Sequence, residues 1–376
     1  MSKASCMCDP FESSIVTSVL IISLLYGFYL NHDNILTFLT HVINGCEIDI
    51  CISLKFMCTC GVVETIIIKT TKKSSQNSKR RKRMNNTKVE NAKMEGVKLF
   101  IVFLIMVAAN YLSSMAVNAL YNHGIDLPIG VYGTLIEILI MVPAIVYILA
   151  RKEDLFDSLG FHKIKFSTVL LTIPLTFLSL PLLYCANVLS QLFVPNTLAQ
   201  ASGELTSGSS LASYFVMAIA APVCEEIAMR GFQFNRFKKI TSLLAAVAIS
   251  AVMFGILHLN INQMCYAIVL GFVFAYANYA SGSIWTSIIM HFIINSIGFA
   301  AVLFATASAE AAGENLAEGA EALRTTGNFM LVTGIILLVI SIICFFPLRK
   351  LIRKIAKNEN NQEAMEVLCK KEKAAA

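Results

Sequence analysis

The chain has 376 residues, 56% of them hydrophobic and only 14% charged, with a mean hydropathy of +0.69. A composition this apolar excludes an ordinary water-soluble domain. The net charge of +6 does not point to nucleic acid either, because the basic residues sit in short segments between apolar runs, where they set membrane orientation. The fold class read from the sequence is therefore all-α, a polytopic transmembrane helix bundle.

In chain order, residues 1–93 come first as an extension unlike the rest. They hold one apolar run, Ile15 to Leu30, six of the eleven cysteines, and a basic stretch from Lys69 to Lys93 that is expected to be disordered and solvated. The apolar run lacks a basic flank and an A-x-A cleavage site, which argues against a signal peptide. No cysteine pair has C-x-x-C spacing, so neither a disulfide framework nor a zinc site of that kind is expected. Met94 opens Met-Glu-Gly-Val-Lys directly before the first clean span, so the bundle is expected at 94–348, followed by a charged tail at 349–376 that is expected to be a partly disordered helix.

A hydrocarbon core of about 30 Å requires roughly 20 apolar residues per helix. Eight spans of this kind are expected: Val97 to Leu120, Ile129 to Ala150, Ser167 to Phe193, Ala212 to Arg230, Leu243 to His258, Gln263 to Ala280, Ile284 to Phe304 and Phe329 to Leu348. Basic residues cluster before the first (Lys88, Lys93), after the second (Arg151, Lys152, Lys163, Lys165), after the fourth (Arg236, Lys238, Lys239) and after the eighth (Arg349, Lys350, Arg353, Lys354). Those segments are expected in the cytoplasm, with the protein in the cell membrane and both the Met94 end and the C-terminus cytoplasmic. Between the second and third spans, Asp154 to Phe161 reads as an interfacial amphipathic turn.

Ionisable side chains inside spans are costly, so they face the bundle interior and mark function. The fourth span ends in Glu225-Glu226 followed by Arg230. Glu226 and Arg230 are one helical turn apart with the acid N-terminal, the favourable order for an ion pair. Glu225 points about 100° away and is left as the candidate general base. The fifth span ends Phe254-x-x-x-His258, and the seventh contains His291-x-x-x-Asn295, in which the two polar residues share a face. Peptide hydrolysis needs a base to take a proton from water and donors aimed at the oxyanion, and these residues supply both.

The Glu-Glu-x-x-x-Arg, Phe-x-x-x-His and His-x-x-x-Asn motifs resemble those of the CPBP or ABI family of intramembrane proteases, which includes type II CAAX prenyl endopeptidases and proteins of bacteriocin processing and immunity. The resemblance covers roughly Val97 to Leu348 and is strongest from Ala221 to Asn295. It implies that Glu225 with His258 activates water, while His291 and Asn295 stabilise the oxyanion. The implied substrate is a membrane-associated peptide or a lipidated protein within the lipid bilayer, with no nucleic acid partner.

The residues leave alternatives open. Glu225, His258 and His291 could instead be ligands of a catalytic Zn2+, making the chain a metalloprotease. Cys224 could be a thiol nucleophile, although a buried thiol stays protonated without a base or cation beside it. A non-enzymatic reading has the buried charges serve an ion-coupled transporter or a bacteriocin self-immunity partner. There is also a geometric difficulty. A fourth helix ending near Arg230 puts Glu225 close to the cytoplasmic boundary, and an unbroken fifth helix starting after Lys239 carries His258 roughly 20 Å towards the other face. Either Arg236 to Leu244 dips into the bilayer or Gly255 marks a bend.

Overall fold

A computed structural model describes residues 75–125, 127–200, 202, 210–313, 315–325 and 327–369. Among these no strand occurs, and the architecture is an all-α polytopic bundle. The chain divides into two compact units, with described residues 75–98 in one and 99–369 in the other. The apolar run from Ile15 to Leu30 and the cysteine-rich segment lie outside the described residues. The basic stretch was expected to be disordered; from Ser75 onward it is helical.

The elements are α1 (Ser75–Asn122), α2 (Ile129–Ala150), the short α3 (Leu155–Leu159), α4 (Phe166–Ser190), α5 (Ser210–Ile240), α6 (Leu243–Leu257), α7 (Ile261–Ser281), α8 (Trp285–Ala311), α9 (Leu316–Thr325), α10 (Gly327–Asn358) and α11 (Gln362–Cys369). Seven helices among the described residues are long and apolar enough to cross a membrane: α1 from Val89, α2, α4, α5, α7, α8 and α10. The fifth of the eight expected spans is the exception. At 15 residues, α6 is about 22 Å long, short of the hydrocarbon thickness.

Two features resolve the difficulty over His258. First, α5 does not end near Arg230 but runs on to Ile240, so Glu225 lies in its middle rather than at its end. Second, α6 turns straight back from Thr241 and Ser242, where the Ser242 side chain accepts from the Ala245 amide to cap the new helix. Glu225 stands 16 residues before Thr241, and His258 stands 16 after Ser242. An antiparallel hairpin with equal arms brings the two to the same depth, about 24 Å from the turn.

Helix α6 stops at His258 because the next residue, Leu259, adopts a left-handed backbone with φ of 53°, and Asn260 then caps α7 by accepting from the Gln263 amide at 3.0 Å. That conformation is strained for a branched apolar residue and holds a tight corner beside a candidate site residue. Two glycines clamp the hairpin that follows. A Cβ on Gly255 would lie 2.5 Å from Ile268 Cγ1, and one on Gly271 would lie 2.7 Å from Ala251 Cα. Small residues of this kind let membrane helices approach closely where no hydrophobic force drives them together.

Helix α7 is the centre of the bundle, buried along almost its whole length. Helices α4, α6, α8 and α10 pack against it, and α10 lies along α4. At one end, where the basic residues gather, the connections are tied to each other. Arg236 forms a two-armed ion pair with Glu153, whose carboxylate also accepts from Arg151. His162 donates to the Gly282 carbonyl at 2.9 Å, and Ser283 donates to that of His162 at 2.6 Å. The tail, expected to be partly disordered, docks here as far as it is described. Asn358 donates to Ser167 at 2.8 Å, Glu359 accepts from the Lys165 amide at 2.9 Å, and Asn361 donates to the Tyr279 carbonyl at 2.9 Å.

Candidate active site

The middle of α5 changes its winding around the two glutamates. Phe215–Ala220 and Ile227–Phe234 are π-helical, and the six residues between them, Ala221–Glu226, are α-helical. Wide turns of this type recur at functional sites because they alter which side chains share a face and loosen the carbonyl ladder. One consequence is visible at once. The Met217 carbonyl, in the first wide segment, accepts from Asn295 Nδ2 at 2.8 Å, which ties α8 to α5.

Glu226 and Arg230 form the expected pair, with Nη1 donating to Oε1 at 2.7 Å, and neither side chain is exposed to any degree. The guanidinium lies over two rings, 4.1 Å from the centroid of Phe254 and 5.0 Å from that of Phe274. A delocalised, weakly hydrated cation tolerates such a site better than an ammonium would, and the ring faces supply part of the lost hydration. His291 Nδ1 is 3.2 Å from the same Glu226 oxygen. A carboxylate only accepts, so Nδ1 carries the proton of that bond and the ring is held in a fixed orientation.

The other ring nitrogen, Nε2 of His291, is turned to Glu225 Oε2 at 3.7 Å. The buried Oε2 of Glu225 has no hydrogen-bond partner. Glu225 is thus the one member of the pair not consumed by structure, as its helical phase indicated, and it keeps 12% of its side chain exposed where Glu226 keeps none. The imidazole set against it is that of His291, whereas the motif resemblance implied His258.

His258 makes no ion-pair contact with Glu225. Its Nδ1 donates to the Phe254 carbonyl at 2.8 Å, so the lone pair of the neutral ring is on Nε2. The ring stacks edge-on against Phe254, with centroids 4.9 Å apart, and Phe254 also meets the His291 ring at 5.7 Å. The two histidines therefore stand against one aromatic side chain. Asn295, read as an oxyanion donor, spends one N–H on Met217 and retains the second.

Among the described residues, no three His, Cys, Asp or Glu side chains form a group that could hold a metal ion. Cys224 is buried and has the carboxylates of Glu137 and Glu225 as its charged surroundings, not the cation or base that a thiolate needs.

One residue escaped the sequence reading. Glu137 stands in the middle of α2, a helix that packs against the Ala221–Glu226 segment. A lone carboxylate within an apolar span was the available signal, and the absence of a partner motif hid it.

Residues 207–297 match the model of the family described as type II CAAX prenyl endopeptidase Rce1-like. This segment contains all six candidate residues, and the match agrees with the resemblance carried by the motifs. A Bacillus subtilis (strain 168) protein named as a membrane peptidase, YdiL, is 32% identical over 81 residues, covering 22% of this chain and 33% of that protein. The chain thus spans about a third of the curated relative it matches. No solved structure matches.

Proposed function

We propose, from the premise that residues 207–297 are a type II CAAX prenyl endopeptidase Rce1-like segment, that this multi-pass membrane protein is an intramembrane endopeptidase acting on a membrane-associated or lipidated peptide. The observation that carries the reading is the unpartnered Glu225 oxygen facing His291, with His291 itself held by the buried Glu226–Arg230 pair.

In this reading Glu225 takes a proton from water as the oxygen adds to the scissile carbonyl carbon. The oxyanion forms beside the donors of the site, the free N–H of Asn295 and the His291 ring when its Nε2 is protonated. The C–N bond then breaks as the same proton passes to the leaving amine, giving an acid and an amine with no net change in the enzyme. The lone pair at His258 Nε2 suits it to orient the water by accepting from it, and Phe254 and Phe274 keep bulk water from the Arg230 side.

The basic end of the bundle, with Arg151, Lys163, Lys165, Lys238, Lys239 and Lys354, faces the cytoplasm in this reading, supported by the excess of Lys and Arg there over the opposite loops. Cleavage of a membrane peptide by purified protein in liposomes tests the function. Glu225→Gln and His291→Ala each abolish it while membrane insertion is unchanged; cleavage by both variants sinks the reading. Activity that disappears with a chelator and returns with Zn2+ would replace the glutamate–histidine chemistry with a metal one.

A further inference from the structure

From Leu99 onward, helix α1 meets the bundle along one stripe. Leu99, Phe103, Met106 and Asn110 recur at helical spacing on a single face, and the first three are buried. No residue of α1 beyond Asn110 is buried. At the start of the stripe, Gln233 of α5 donates to the Leu99 carbonyl at 3.2 Å, and at its far end Asn110 Nδ2 donates to the Leu257 carbonyl of α6 at 2.7 Å. A polar side chain in an apolar span thus reaches 147 positions along the chain, to the peptide bond that joins Leu257 to His258.

That carbonyl is one of the four that the end of a helix leaves without an intrahelical donor. The other three find donors within the corner itself. The Phe254 carbonyl accepts from His258 Nδ1 at 2.8 Å, that of Gly255 from the His258 amide at 3.2 Å, and that of Ile256 from the Leu259 amide at 3.0 Å. The left-handed Leu259 then takes the chain out of the helix, so the carbonyl of Leu257 is served from outside, by Asn110. In a hydrocarbon core no water is at hand to serve it instead. The peptide plane before His258 is therefore pinned at both ends, its oxygen by Asn110 and its N–H by the Gly255 carbonyl. A strained residue such as Leu259 persists only where its surroundings over-determine it, and this pinned plane is part of what does so.

We propose that Asn110 is a positioning residue for His258: its carboxamide, reaching across from α1, fixes the Leu257–His258 peptide plane and so holds the imidazole with Nε2 towards the attacking water. Asn110 itself touches neither water nor peptide, and it lies outside the 207–297 segment that carries the family match. The proposal rests on the peptidase reading, in which His258 orients the water, but one of its readouts needs no turnover.

Leucine matches asparagine in size without donating, and it suits an apolar span, so Asn110→Leu is expected in the membrane at wild-type levels. Cross-helix hydrogen bonds of this kind add little to the stability of membrane proteins, so its melting midpoint stays close to that of wild type. In liposomes its kcat falls by about fivefold or more with KM unchanged, the loss of one hydrogen bond, while Asn110→Gln, which keeps an amide donor, stays within about twofold of wild type. Independently, hydrogen–deuterium exchange in Asn110→Leu is about fivefold faster at His258 and Leu259 and unchanged at residues 247–250, nearer the start of α6. A leucine variant with wild-type kcat, one with a raised KM and intact kcat, or a glutamine variant as impaired as the leucine one overturns the proposal. So does exchange that is unchanged at the corner, or that rises evenly along α6 as a merely structural role would have it. Failure of the peptidase reading shows differently: the wild type does not cleave, while the exchange result stands.

Discussion

Two ion pairs hold this molecule at different depths, and they work in opposite ways. At the basic end, Glu153 meets Arg236 and Arg151 and keeps 28% of its side chain exposed, so water shares the solvation of its carboxylate. In the middle of α5, Glu226 and Arg230 have no exposure, and the guanidinium Nε and Nη2 have no hydrogen-bond partner. The outer pair ties the connection after α2 to the end of α5, 83 residues away in the chain. The inner pair bears a desolvation cost that no surface pair bears, and in return fixes His291 and two aromatic rings around Glu225.

The largest effect should come from splitting the inner pair. Arg230→Met leaves Glu226 as an uncompensated buried charge and should cost about 3–5 kcal/mol, read as a lower thermal midpoint in detergent. Adding Glu226→Met should recover much of that stability, because an apolar pair of similar volume avoids the desolvation cost, yet cleavage stays absent since His291 has lost its anchor. A single and a double variant of equal stability would show that the inner pair resembles the outer one after all.

Next comes Gly255→Leu. The side chain would have to displace Ile268 and the Met264 carbonyl, so α6 separates from α7 at a cost of about 1–3 kcal/mol. Because His258 lies one turn further on, activity should fall by more than stability does, as assayed by parallel cleavage and melting measurements. Phe254→Leu should be milder, since it removes a cation–π contact of about 0.5–2 kcal/mol from Arg230 while keeping an apolar filler. Melting would check this, and a fall as large as that of Arg230→Met would show that the ring carries more than its contact with the cation.

The smallest effect belongs to the outer pair. The Arg236 hydrogen bonds, helped by Arg151, lower the Glu153 carboxyl from 4.5 to about 2. A carboxyl depressed on folding contributes stability that is present above 4.5 and is lost as the pH falls towards 2. Glu153→Gln should therefore cost no more than about 1 kcal/mol at neutral pH, given the solvent screening. Acid titration of the melting midpoints should show the gap between variant and wild type closing in that window. A gap that persists at the acid end would mean that the link is steric.

Membrane class and the polar constellation were legible because both rest on what cannot be hidden in a bilayer: apolar length and intramembrane charge. The phase of Glu225 against Glu226 followed from helix geometry alone. What failed was length. The fourth helix was stopped near Arg230 because Arg236, Lys238 and Lys239 looked like its boundary, whereas those residues cap a helix that continues to Ile240. The wide turns of α5 have no local sequence signal; the first packs against α2 and α8, the second against α2 and α6. The pairing of His291 with both glutamates likewise required knowing which faces of α5 and α8 meet. Glu137 was visible as a residue and invisible as a neighbour.

The equal arms of the α5–α6 hairpin have an implication for how such a chain can change in length. An extra residue in the Thr241–Ser242 corner leaves both arms intact and alters only the link, so the corner can absorb insertions. The same residue placed between Arg230 and Phe237 would screw Glu225 about 100° around and 1.5 Å along its axis relative to His258. Length variation is therefore free at the rim and forbidden within either arm, unless matched residue for residue in the other.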